Sequence, residues 1–318
     1  MIEPGLVWTC WQCEDGMKLA EGTPPADAPF RWLHLDLWDQ RSARWIATQS
    51  GLPADLQALF LSSDDQPRAM GMKDALALVL PDFQREFDRE QTEQIGALRV
   101  ALRPGLVLTG RHHPLHTPDV FRHRAAQADT LDAAGALELI LDSLADTLAL
   151  RTAGALSELL ALEDRILADQ NVPDTRALVT LRRLTARLHR MASGMYTALY
   201  RASEDPTIAP AYGEVLARSV RRLQPIERDV VAAQSQLRLL REELDLQAGQ
   251  QTNENVYLLS VITALIMPAT LVTGFFGMNT GGMPFEQGAS GTLWATIFAV
   301  GCSIATWLLL RMMGLIRR

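Results

Sequence analysis

The residues best placed to do chemistry in this chain form one stripe near its C-terminal end. Asn253, Val256, Ser260, Thr263, Met267, Thr270, Gly274 and Gly277 follow a 3-4-3-4-3-4-3 spacing, which puts their side chains on a single face of an α-helix. That face carries hydroxyls, an amide at one end, small residues and one Met, and no carboxylate. Polar groups of this kind could line a water-filled path through an apolar segment. One stripe cannot enclose a channel, whereas several copies around an axis would. The competing reading is that the small residues only pack against a neighbouring helix. Spacing alone leaves both open.

Two other clusters could hold metal. Arg111-His112-His113-Pro114-Leu115-His116 offers three imidazoles, and His112, His113 and His116 would suit zinc in a cytoplasmic sensor. Pro114 breaks the spacing and no fourth ligand is evident, which favours a solvated turn. Cys10-x-x-Cys13 is half of a zinc motif without its second half, and on a strand the two thiols point to opposite faces. Cys302 reads as packing. These three cysteines fit a reduced, cytoplasmic setting. His34, His123 and His189 are isolated, with ordinary hydrogen bonding as their expected role. There is no Gly-rich phosphate loop, nucleophile elbow or catalytic constellation, so the chain is expected not to be an enzyme, and no cofactor is implied.

The stripe must be held by a long helix, and the sequence supplies one. Residues 256–276 and 291–310 carry no charge, and each run is about the 20 residues that cross a ~30 Å bilayer. Only residues 277–290 separate them, so the two spans (about 256–276 and 291–311) form a transmembrane hairpin with both ends on one side. Arg311, Arg317 and Arg318 flank the second span, Arg238 and Arg241 precede the first, and the loop has no Lys or Arg. Positive flanks stay inside. Both termini are therefore expected in the cytoplasm, with the loop outside. Polar groups within a span face protein or water rather than lipid.

At the outer end of the first span stands Gly277-Met278-Asn279, preceded by Met267-Pro268, Thr270 and Gly274-Phe275-Phe276 and followed by a short loop and a last span. This arrangement resembles the CorA family of divalent-cation channels and transporters, whose signature is Gly-Met-Asn at this place. The following Thr280-Gly281-Gly282-Met283-Pro284 is similar to the zinc-associated ZntB branch and departs from the aromatic and acidic pattern of the magnesium branch. The resemblance implies a funnel-shaped homopentamer in the inner membrane, with the first span lining the pore and the second forming an outer ring. Its pore positions fall on Asn253, Leu259, Met267, Thr270, Gly274 and Asn279, and Leu259 lies one residue off the stripe. Asn279 amides and Gly277 carbonyls would receive the hydrated ion at the outer mouth. Gly277 would let the backbone turn at the helix end. Thr263 and Thr270 would replace lost water contacts, and Met267 and Leu259 would form apolar constrictions. Glu286, the one charge in the outer loop, could draw cations in. Zinc uptake is the implied activity, with proton coupling as a property of the branch. A magnesium or cobalt channel through the same pore, also open to nickel, is the alternative, and a membrane-anchored scaffold or sensor is the reading from another class.

The rest of the chain reads as a cytoplasmic support for that hairpin. Its 318 residues allow two domains, and the net charge of −7 argues against a nucleic-acid surface. No N-terminal apolar run suggests a cleaved signal. Residues 1–128 read as a mixed α/β domain, with strands over Leu6–Gln12, Trp32–Leu37, Ala69–Met72, Ala75–Leu80, Ala97–Leu102 and Leu106–Thr109 and helices over Arg41–Gln49, Ala54–Leu61 and Pro118–Ala128. Pro104-Gly105 signals a hairpin. From Leu131 the apolar period becomes 3.6, and residues 129–252 read as a long-helix bundle and stalk. Asn171 to Asp174 should turn one long helix into the next, with Asp174 as its cap, and Ser203 to Pro210 makes a further break. A third helix should run from about Ala211 into the first span with a heptad seam through Val230, Leu237 and Leu244. Pro225 either bends it or starts it. Glu227, Asp229, Glu242, Glu243 and Asp245 read mostly as a solvated face, while Glu254 borders the span. Residues 253–318 are the hairpin. The expected class is an α+β membrane protein.

Overall fold

The computed structural model describes residues 5–14, 16–85, 94–168, 175–278 and 291–313. The chain divides into two compact units, Met1–Leu240 and Arg241–Arg318.

The first unit is built on a seven-stranded sheet of β1 (Leu6–Cys13), β2 (Gly16–Ala20), β3 (Arg31–Asp36), β4 (Arg68–Met72), β5 (Ala75–Phe83), β6 (Ile95–Arg103) and β7 (Leu106–Arg111) in the order β2-β1-β3-β7-β6-β5-β4. Only β3 and β7 pair in parallel. Every residue of β5 is buried, the near-continuous apolar run of a strand covered on both faces. Side chains alternate along each strand. Leu33, Leu35, Val79 and Leu108 face α1 (Gln40–Gln49) and α2 (Ala54–Leu61). Trp8, Trp32, Leu78, Val100 and Val107 pack in the same core as α3 (Thr117–Ala126), α4 (Ala133–Ala168) and α5 (Thr175–Ser203). The β6–β7 hairpin turns on Pro104-Gly105, with Gly105 at φ 73°, a conformation that favours glycine. The sequence reading missed β2. It is a five-residue edge strand with an exposed Lys18 at its centre, and its apolar face is Met17 and Leu19 alone, too short an alternation to announce a strand.

The third long helix, α6, is a single element over Pro210–Phe276. It passes through Pro225 unbroken. That proline has no N–H for the Arg221 carbonyl, but it is exposed, so its ring lies off the packed side. Tyr212, Leu216, Ser219, Leu223, Ile226, Val230, Ala233, Leu237 and Leu240 are buried at alternating four- and three-residue steps. They share one core with Leu141, Leu144, Leu148, Leu181 and Leu188 of α4 and α5. Gln234 Nε2 donates to the Thr185 carbonyl at 3.2 Å, and Arg218 and Arg222 pair with Glu138, Asp142 and Asp146 of α4. As far as Leu240, the heptad seam is therefore occupied by this chain's own helices. Asp132 Oδ1 accepts the Gly135 N–H at 2.7 Å and caps α4. The Asn171–Asp174 turn and the Asp174 cap lie outside the described residues.

The second unit holds the remainder of α6 and α7 (Gly291–Met312). Both helices are long and apolar enough to cross a membrane, with mean hydropathy of 2.0 and 1.9 over their most apolar windows, and only 6% of each window is buried. A core helix of a soluble protein would bury that surface.

Candidate functional site

The end of α6 has two faces of different character. Leu265, Pro268, Ala269, Val272 and Phe276 are buried or half-buried, and Val272 meets α7 where Ala299 is also buried. Leu265, Ala269 and Phe276 line a groove with Ala295, Ala299, Ser303 and Trp307 of α7. Thr263, Met267, Thr270 and Gly274 are exposed and line a second groove running along α6 alone, ending at Met278. At about 100° of turn per residue, the two sets lie on roughly opposite sides of the helix. The polar stripe is therefore the face that α7 leaves open. A Cβ placed on Gly274 would meet nothing within 4 Å, so that position keeps the groove wide. Ile262, Ile266, Leu271 and Phe275 flank it.

The hydroxyls on this face have a defined polarity. Ser260 Oγ donates to the Val256 carbonyl at 2.8 Å, Thr263 Oγ1 to Leu259 at 2.7 Å and Thr270 Oγ1 to Ile266 at 3.0 Å. Each hydroxyl hydrogen is thus used within the helix, and the oxygen lone pairs are what remains for a ligand. A hydrated cation turns its water oxygens inward and its hydrogens outward, so it presents donors. An acceptor face with no formal charge matches that shell. Met267, 64% exposed, stands between the two threonines as an apolar step.

The other expected site residues fall as follows. Asn253 is exposed on α6, and Leu259 is 65% exposed beside the stripe. Gly277 is not in the left-handed conformation. Its N–H donates the closing bond of α6, to the Thr273 carbonyl at 2.9 Å, so Gly277 stands directly after the last helical residue, Phe276; a Cβ there would stand 3.0 Å from that carbonyl oxygen. Met278 is half-exposed at the end of the groove. Asn279 and Glu286 lie outside the described residues. The histidine run does not form a metal site. Among the described residues no group of three or more His, Cys, Asp or Glu could hold an ion. His112 and His113 instead contact the exposed Trp38 edge-on, and His116 stands at the N-cap position just before α3. Burial lowers the His112 and His116 pKa values, with Arg99 and Arg151 respectively adding to the effect. Cys10 and Cys13 are free, and burial raises the Cys10 thiol to about 11. The sequence reading missed the matching stripe on α7. Ala295, Ala299 and Ser303 recur every fourth residue, the small-residue spacing that lets two membrane helices approach.

The family model described as CorA-like Mg2+ transporter protein matches residues 27–313. The chain belongs to the CorA family. CorA proteins are ion transporters or channels, not enzymes. Among its relatives, the divalent cation transporter CmaX of Pseudomonas aeruginosa is 26% identical over 290 residues, 88% of this chain and 86% of CmaX. The structure of full-length CmaX superposes with a TM-score of 0.80 at 21% identity over 98% of both chains. The complete CorA magnesium transporter of Methanocaldococcus jannaschii gives 0.79 at 14% identity, covering 99% of this chain and 100% of that one. The ZntB cytoplasmic domain of Vibrio parahaemolyticus gives 0.65 at 13%, covering 78% and 100%. These likenesses establish the fold: an N-terminal α/β domain, a long helix and two C-terminal apolar helices.

Proposed function

We propose that this chain is a divalent-cation transporter of the inner membrane, assembled as a homopentamer whose pore is lined by α6 with α7 outside it. The observation that carries this reading is the open acceptor face Thr263–Met267–Thr270–Gly274 standing opposite the α7 contact. Copies of α6 turned inward would join their oxygens around an axis, and α7 would cover the outer side. The apolar flanks of the groove would meet neighbouring copies and lipid. A scaffold that uses the hairpin only as an anchor gives no reason for a row of satisfied hydroxyls on an otherwise apolar span. Positive flanks at Arg238, Arg241 and Arg311 support termini on the cytoplasmic side.

Zinc uptake is the cargo reading that the Thr280–Pro284 loop supports. Proton coupling rests on the ZntB resemblance alone, since neither uncharged span holds a carboxylate or a histidine to relay a proton. A magnesium or cobalt channel is the second reading, favoured by the family description and by a relative named for divalent cations in general. Uptake of Zn2+, Mg2+, Co2+ and Ni2+ into liposomes holding the purified full chain, with and without a pH gradient, tests the proposal. Zn2+ uptake accelerated by an inward proton gradient is expected. Gradient-independent uptake favouring Mg2+ would support the second reading, and no uptake of any of the four would contradict transport.

A further inference from the structure

Within its uncharged segment, α6 has one turn that lacks its full backbone bonding. Pro268 has no N–H, so the Ala264 carbonyl receives no donor from four residues on. In hydrocarbon an unpaired carbonyl is costly, and such a turn bends more readily than its neighbours. It is also the turn that carries Met267, the apolar step in the groove.

A side chain of α7 reaches that same turn. Ser303 Oγ donates to the Leu265 carbonyl at 3.2 Å. Hydroxyls inside helices ordinarily donate to the carbonyl four residues back in their own helix. Ser260, Thr263, Thr270 and Thr306 do so here, whereas Ser303 crosses to the other helix. The crossing is possible because Ala295 and Ala299 stand on the same side of α7 and let the backbones approach; Ala299 and Val272 are both buried. Leu265 and Met267 lie on opposite sides of one turn, so whatever fixes the Leu265 carbonyl against α7 also fixes the direction of the Met267 side chain.

We propose that Ser303 is a positioning residue that latches the Pro268 turn of α6 to α7 and so holds Met267 at its place in the pore. This rests on the pore reading above for its consequence, though not for the latch itself. With the latch closed, Met267 is held in the groove. With it released, the turn moves and the apolar step moves with it. Ser303 does not touch the ion.

Hydrogen exchange and ion flux test this separately, on the full chain in lipid nanodiscs and in liposomes. Ser303→Ala removes the donor, and Ser303→Thr keeps it. The latch predicts that Ser303→Ala raises exchange of the 264–271 amides about threefold, the size of one hydrogen bond between membrane helices, while Ser303→Thr stays near wild type. Basal flux should change by a similar factor in Ser303→Ala and be restored in Ser303→Thr. In a Met267→Ala background the exchange effect should persist and the flux effect should vanish, since the apolar step is gone. Unchanged exchange in Ser303→Ala would overturn the latch, even in a protein that transports. An undiminished flux effect in the Met267→Ala background would overturn the action through Met267. A wild-type protein that takes up no ion would refute the pore reading, and the exchange measurement would still decide the latch.

Discussion

Thr270 and Thr273 have the same side chain, sit three residues apart and are both exposed. Each also donates its hydroxyl back along the helix, Thr270 to Ile266 and Thr273 to Ala269 and Thr270, all at 3.0 Å. They differ in where they point: Thr270 lines the open groove, and Thr273 lines the groove shared with α7. Replacement by valine keeps the shape and removes the oxygen. Thr270→Val is expected to cut flux at least about fivefold, roughly one hydrogen bond to the ion's water shell. Thr273→Val should leave flux within about twofold. Equal losses in the two variants, measured in liposomes at matched protein content, would contradict the assignment of faces. A second residue of consequence lies in the α/β domain. Asp82 is fully buried and accepts from Thr117 N–H at 2.9 Å, Thr117 Oγ1 at 2.7 Å and the Phe83 N–H at 2.8 Å. Burial raises its pKa to about 6 against those three donors, which pull it down. The folded state therefore holds the proton more tightly than the unfolded chain, whose carboxyl titrates near 3.8. The contribution of Asp82 is complete below that value and is lost as pH rises through about 6, a change on the order of 3 kcal/mol. Thermal midpoints of Asp82→Asn and wild type should diverge in favour of the variant between pH 4 and 7. Parallel curves would refute the raised pKa.

At the level of elements, α6 shows how a helix tolerates a proline that its packing has placed on the outside. Pro225 breaks one backbone bond and nothing in the seam. Pro225→Ala should stabilise the fold, by up to the ~3 kcal/mol that an interior proline costs a helix, and so raise the thermal midpoint; a lowered midpoint would mean that the ring contributes packing. Much of this architecture was legible in the sequence because its signals were periodic. The 3-4 stripe, the heptads through Val230 and Leu237 and the uncharged runs each repeat a pattern that geometry enforces. What escaped reading depended on contacts between distant segments. β2 has only Met17 and Leu19 on its apolar face and exists because β1 offers it an edge. The sequence could not choose whether Pro225 interrupts the helix, since that depends on which side α4 and α5 cover. His112, His113 and His116 look convergent in sequence, but the turn at Pro114 and the start of α3 separate them. Ser303 reads as one more small residue until Leu265 is seen across from it.

For the whole molecule, the exposed apolar surface on α6 and α7 is the larger requirement. Val256, Leu259, Ile262, Ile266, Leu271 and Phe275 are all exposed, and such area on a chain otherwise able to bury its core needs lipid and other copies to cover it. The proposed pentamer in a bilayer supplies both, and it turns single threonines into rings of acceptors. Cysteine labelling tests this most directly. In a chain with Cys10, Cys13 and Cys302 replaced, Thr270→Cys and Thr273→Cys are reconstituted and treated with a small charged thiol reagent during divalent-cation uptake. The account predicts that Thr270→Cys is modified from the water phase and its flux is blocked, while Thr273→Cys is left conducting. Block of Thr273→Cys with Thr270→Cys untouched would place the wrong face toward the ion and contradict the account at its centre.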